Sequence, residues 1–282
     1  MADLVEQVGE EGPTPASSPE SGPVVALPAA RRFRWRRWVV AGGVTAAYIV
    51  SYRLTGVDLG RLIDGLSTMG GWAAKAWPPT GREFSVILQR AGETVAIALI
   101  GTTLAAAIAL PLCVPAARNL TPNWQLRLPA RLLLNTLRGV DSFVFALLFV
   151  AAVGLGPFAG MLGIALHTSG SMGKLFAEAI EGLPRGPLEA AELTGASRLK
   201  AVTYAVLPDA LPPLSSVGLY MFEFNIRSSI VLGVVGAGGI GQQLRNSIEL
   251  LDFPRLFTIV LVILTMVTII DQFSGRLRRS LA

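Results

Sequence analysis

Charge is what this sequence has least of. Only 15% of its 282 residues are Asp, Glu, Lys or Arg, against about 25% in an ordinary soluble domain. Hydrophobic residues make up 52%, and the mean hydropathy is +0.55. A surface so poor in charge faces something other than water. Cysteine and histidine are nearly missing as well, with Cys113 and His167 the single example of each. One cysteine excludes a disulfide framework and a Cys-based zinc site. One histidine leaves no material for a His-based metalloenzyme or a Cys–His nucleophile pair, so no metal site and no catalytic residue are expected.

What the chain does have is apolar length, gathered into blocks such as Thr94–Leu112, Phe143–Val153 and Leu256–Ile270. A membrane-spanning helix needs about 20 mostly apolar residues. That length fits 37–54, 86–113, 132–153, 156–175, 210–235 and 256–273, so the expected fold is all-α and polytopic with six transmembrane helices. The net charge of +5 does not form a stripe of the kind that grips nucleic acid. Its basic residues flank the apolar blocks, at Arg31–Arg37, at Arg118/Arg127/Arg131 and at Arg276/Arg278/Arg279. Positive clusters stay on the cytoplasmic side, and with six crossings all three do so, together with both termini and the 176–209 loop. An odd number of helices breaks that agreement. The expected location is the cell membrane.

Residues 1–30 are rich in Pro, Gly, Ser and Glu and contain no aromatic residue. Such a segment buries too little to offset its ordering entropy and reads as a disordered cytoplasmic tail. Residues 31–85 read as a first, uncleaved membrane helix followed by an external segment. There Trp72, Trp77 and Pro78-Pro79 suit an interfacial helix. Residues 86–282 form the core. The span 156–175 is rich in Gly and Ser and suits close packing among other helices.

The most informative stretch is the long loop at about 181–208. Pro187 suits the first turn of a helix and Glu189 complements its positive end. Gly195 can stop that helix through a left-handed cap, Ser197 can cap the next one, and Pro208 lies where the following span begins. Glu189-Ala190-Ala191, Gly195 and Leu207-Pro208 stand at the spacing of the E-A-A…G…I-x-L-P signature, with Ala205 in the Ile position. On these residues the chain resembles the permeases of ABC importers, whose loop forms the coupling helices that dock on the ATPase. Gly154–Gly160, Ala165–Thr168, Gly173–Glu178, Phe222–Ser229, Val231-Leu232-Gly233 and Val235–Gln242 are similar to the permeases of phosphonate/phosphate-type importers. That likeness runs from about residue 86 to the C-terminus. It departs at Arg138–Ser142, where the family usually has Pro-Glu or Pro-Asp at the last two positions.

The resemblance implies a type I importer permease fold with no cofactor on this chain, ATP and Mg being bound by a partner ATPase. It implies a second permease subunit (same or related), two cytoplasmic ATPase subunits and an extracytoplasmic binding protein. The implied cargo is a phosphonate, phosphate or phosphite anion; a methionine or alkylsulfonate cargo and, more remotely, an intramembrane enzyme are the alternatives. Two nucleotide motifs fail on context. Gly236-Ala237-Gly238-Gly239-Ile240-Gly241 fits G-x-G-x-x-G, but a membrane span follows where a Rossmann unit needs a soluble βαβ fold; Gly236, Gly238, Gly239 and Gly241 read instead as a tight bend lining a gate. Gly173-Lys174 lacks the Gly and Ser/Thr of a phosphate loop, having Thr168 and Leu175 there.

Ionisable and polar residues inside spans mark pathways by default. The candidates are Glu223, Asn225, Arg227, Ser228, Ser229 and His167. Glu223 and Arg227 are four apart and suit an ion pair along one helix face. Alternatively Arg227, with Ser228 and Ser229, helps pass an oxyanion. His167 fits either a satisfied packing role or a substrate contact.

Overall fold

The structure, a computed structural model, describes residues 31–56, 58–184 and 186–281, and the expected tail at 1–30 lies outside them. All elements among the described residues are helical. The chain divides inside a helix, at Gly65/Leu66, into two units. The first carries α1 (Arg31–Thr55) and the start of α2 (Leu59–Ala76). The second carries the rest of α2 and everything after it.

In the second unit the long apolar block becomes α3 (Phe84–Ala116), which stays continuous although Pro111 and Pro115 lie within it. α4 (Trp124–Gly139) starts where the Asn123 side chain accepts from the Gln125 amide at 3.0 Å. α5 (Ser142–Val153) starts where the Asp141 carboxylate accepts from the Phe143 amide at 2.8 Å. α6 (Pro157–Glu181) has proline in its first turn, where the missing N–H costs nothing. Then follow α7 (Gly186–Leu193), α8 (Arg198–Ala201), a π-helical turn at Val202–Val206, α9 (Leu207–Val234), α10 (Ile240–Glu249) and α11 (Phe253–Leu281).

Among the described residues two helices, α3 and α11, are long and apolar enough to cross a membrane, and the pair α4–α5 adds a third if counted as one bent span. The expected straight span at 132–153 is therefore corrected. Its two halves meet at 82°, because Asp141 captures a backbone donor and starts a new helix. The break is fixed from α6, where the ring Nδ1 of His167 lies 2.8 Å from the Val140 carbonyl.

α6 is the centre of this unit and touches α3, α4, α5 and α9. Its small residues let backbones meet, as small-residue interfaces do in membranes. A Cβ on Gly163 would stand 2.7 Å from the Ala146 amide nitrogen. Three apolar clusters fill the bundle. One, around Cys113, Leu134, Phe176, Ile180 and Leu214, lies at the end carrying α7; a second joins Ile97, Ala146, Ile164 and Leu232; the third, Ile87, Ala91, Ile240 and Ile259, lies around α10. Within 55–85, where an interfacial helix is expected, stands α2, which has no buried residue. Within the second unit Trp72 stacks on Phe253 and Trp77 meets the edge of Phe257.

Candidate functional site

The loop between α6 and α9 folds as its sequence directs. Pro187 and Glu189 lie in the first turn of α7. The helix ends in a Schellman-type cap. Gly195 takes φ +74°, and the Ala196 amide donates to the Ala191 carbonyl at 3.2 Å. Glu189 and Ala190 are exposed, Ala191 is half-buried, and Leu193 is 90% exposed. Leu207 and Pro208 open α9. The turn before them widens from α to π, with the Leu207 amide reaching back to the Val202 carbonyl. Prolines at 208, 212 and 213 remove three backbone donors from the helix that follows, and a wide turn is one way a helix absorbs such a loss. It presents Tyr204 outward at 80% exposure.

At the other end, Val235–Gly239 make the bend expected of the glycine run. Gly236, Gly238 and Gly239 all have positive φ. What holds the bend is on α3. The Glu93 carboxylate accepts from the Gly239 amide at 3.3 Å, and the Thr94 hydroxyl accepts from the Ile240 amide at 2.8 Å. α10 is thus capped by side chains of another helix, which satisfy the amides its own chain leaves free. Arg90 holds the second carboxylate oxygen of Glu93 at 2.7 Å. The α5–α6 turn joins the bend through Gly156 N–H donating to the Gly236 carbonyl at 2.9 Å. Arg255 of α11 ties the same end together, reaching Glu83 at 2.7 Å and Gln243 at 2.9 Å.

The middle of α9 sorts the candidate residues onto two faces. Asn225 and Ser229 are buried against α3. The Asn225 amide donates to the Thr102 hydroxyl at 2.8 Å and its carbonyl accepts from the Thr168 hydroxyl at 2.9 Å, so one side chain joins α9, α3 and α6. Ser229 reaches the Thr94 carbonyl at 3.4 Å. Glu223 and Arg227 share the other face, as their spacing requires, but the expected pair between them does not form. Both turn to α11 instead. Arg278 pairs with Glu223 at 2.7 Å, and Arg227 pairs with Asp271 at 2.9 Å. The Glu223 side chain is only 10% exposed, whereas that of Arg227 is 56% exposed. Ser228 is half-buried beside them.

Residues 101–282 match the family of binding-protein-dependent transport system inner membrane components. The chain belongs to this family. The permease is 46% identical over 246 residues, 87% of each chain, to a protein of Stutzerimonas stutzeri assigned to phosphite transport. It is 40% identical to a phosphite transport system permease protein of the same organism, over 79% of this chain and 81% of that one. A phosphate-import permease protein of Mycolicibacterium smegmatis is 35% identical over 89% of this chain and 47% of its own length. In fold it is similar to a solved chain of the inward-facing MetNI methionine transporter, with a TM-score of 0.64 and 20% identity over 72% of this chain and 99% of that one. The fold is that of a type I importer permease, and the protein is a transport component, not an enzyme.

Within the permease the polar candidates do not converge on one pocket. The Val140 carbonyl can only accept, so the His167 Nδ1 is the donor of that 2.8 Å bond. Sequence reasoning missed Glu93, Thr94, Thr102, Thr168, Asp271 and Arg278. Thr94 and Thr102 are hydroxyls inside an apolar run, eight residues apart and so on one helix face. Asp271 is the only acid in 256–273. Both were visible signals, read only for length and hydropathy. No group of three or more metal-ligating side chains gathers among the described residues.

Proposed function

We propose that this chain is a transmembrane subunit of an ATP-driven importer that brings phosphite, phosphate or phosphonate anions into the cytoplasm. The observation that carries the mechanism is the exposed α7 loop. Leu193 and Tyr204 stand 90% and 80% exposed on a short, rigidly capped helical hairpin, an arrangement suited to docking into another protein. That protein is the ATPase subunit. Glu189, Ala190, Ala191, Gly195, Leu207 and Pro208 shape the docking element, and α9 carries its movement into the bundle. The cargo class rests on the three relatives named for phosphite and phosphate.

Two such permeases, alike or related, form the pathway with two ATPases that bind ATP and Mg, and an extracytoplasmic binding protein delivers the anion. The glycine bend at Gly236, Gly238 and Gly239 lines the gate; Gly241, expected with them, lies instead in α10 and packs on the backbone of α9. Six spans, with both termini and the α7 loop cytoplasmic, place all three basic clusters inside. In a Cys113→Ser background, a cysteine at Ser280 is expected to resist impermeant thiol reagents in intact cells; labelling from outside reverses this orientation.

Coupling is tested at Gly195. A Cβ there meets nothing within 4 Å, yet φ is +74°. Gly195→Val therefore strains the turn without a clash, by roughly 1–3 kcal/mol. The variant is expected to insert but to lose ATPase assembly and uptake of labelled phosphite. Gly195→Asn, which tolerates the left-handed region, is expected to keep both. Full stimulated ATP hydrolysis by the Val variant removes the docking role.

A further inference from the structure

At the α7 end of the bundle, three arginines crowd one cavity without enough acid to balance them. A hollow of about 360 Å³ is lined by Arg118, Trp124, Arg127, Leu128 and Arg131. It adjoins a second of about 290 Å³ that shares Arg118 and Arg131. The acid beside them is already engaged, because Glu181 binds Arg131 and accepts from the Arg118 backbone amide at 2.6 Å. Glu178 faces Lys174 at 3.7 Å. The Arg118 guanidinium has no partner among the described residues. Arg127 has only a 3.5 Å contact with the Thr121 carbonyl. Like charges held together this way repel unless an anion lies between them.

The apolar surroundings say which anion. Trp124, Leu128 and Leu132 recur every four residues on α4, a stripe running away from the cavity beside Arg127 and Arg131, and they are 61%, 47% and 56% exposed. A cationic pocket continued by an apolar stripe matches a phosphate headgroup with its chains attached. Tryptophan favours headgroup depth, and the guanidinium fork fits a phosphate.

We infer that Arg118, Arg127 and Arg131, with Trp124, form a site for the headgroup of an anionic glycerophospholipid, its acyl chains lying along Leu128 and Leu132. This rests on the orientation proposed above, in which the α7 end lies at the cytoplasmic leaflet. A basic pocket between helices on that side is where acidic headgroups bind.

The test is lipid titration of the delipidated, assembled transporter by native mass spectrometry, which needs no cargo and so stands or falls separately from the import reading. Phosphatidylglycerol is expected to bind the wild type and phosphatidylcholine to bind it far less. R118Q/R127Q is expected to weaken phosphatidylglycerol binding about tenfold or more, with the complex intact. Unchanged binding overturns the proposal. Loss of the ATPase subunits from the variant overturns it too, by assigning the arginines to an acidic protein surface. Displacement of the lipid by millimolar inorganic phosphate overturns it in favour of a free-anion site.

Discussion

Gly241→Ala is expected to leave no correctly assembled permease to purify. A Cβ at this position falls directly on the Ile230 carbonyl and stands 3.0 Å from the Gly233 Cα. Those are backbone atoms of α9, so no side-chain rotation relieves the clash. Either α10 moves off α9 or the bend before it unwinds, and both uncover the cluster of Ile87, Ala91, Ile240 and Ile259. Overpacking of side chains costs about 1–3 kcal/mol, and a rigid backbone contact costs more. Gly218→Ala is the matched control. Gly218 lies inside α9, and a Cβ added there meets nothing within 4 Å, so alanine stabilises the helix by about 0.5–1 kcal/mol. The yield and detergent melting temperature of the two variants should move in opposite directions. Equal yields count against the close α9–α10 contact.

Arg278→Met is expected to be worse than losing Arg278 and Glu223 together. The single change leaves the Glu223 carboxylate, 10% exposed, without its 2.7 Å partner. Removing one member of a buried pair costs about 3–5 kcal/mol. Arg278 is 35% exposed, so a smaller loss, about 2–3 kcal/mol, applies here. Glu223→Gln combined with Arg278→Met removes both charges and is expected to recover at least half of the loss in melting temperature and assembly. Arg227→Met is expected to be milder in stability than Arg278→Met, because the Arg227 and Asp271 side chains are 56% and 40% exposed where that of Glu223 is 10% exposed. Uptake by Arg227→Met then reads its pathway role almost free of a folding defect. Wild-type uptake by that variant removes Arg227 from the anion's route.

The pairing of Glu223 shows where reading the sequence stops. Spacing put Glu223 and Arg227 on one face of α9, and they are on one face. Spacing could not say that α11 runs beyond its apolar block to Leu281 and so brings Arg278 alongside. An i,i+4 partner and a cross-helix partner are equally available until packing chooses. The break between α4 and α5 was hidden for a similar reason. Hydropathy runs straight through 132–153, and a single carboxylate at Asp141 outweighs it locally. The α7 loop was legible because proline, glutamate and glycine each act within one turn of chain. The capping of α10 was not, because Glu93 and Thr94 lie 146 residues before the amides they hold.

That long-range cap ties the glycine bend to α3 through several groups at once. If α10 draws away from α3, the Gly239 and Ile240 amides, the Thr94 hydroxyl and the Glu93 carboxylate lose their partners in one step, and Arg90 is left holding a carboxylate with one oxygen bare. The two amides are adjacent in one turn, so a displacement of that turn strains both bonds together. Each of those groups, once bared away from water, costs about 1–3 kcal/mol, so the bend is held by what α3 offers it and not by its own glycines.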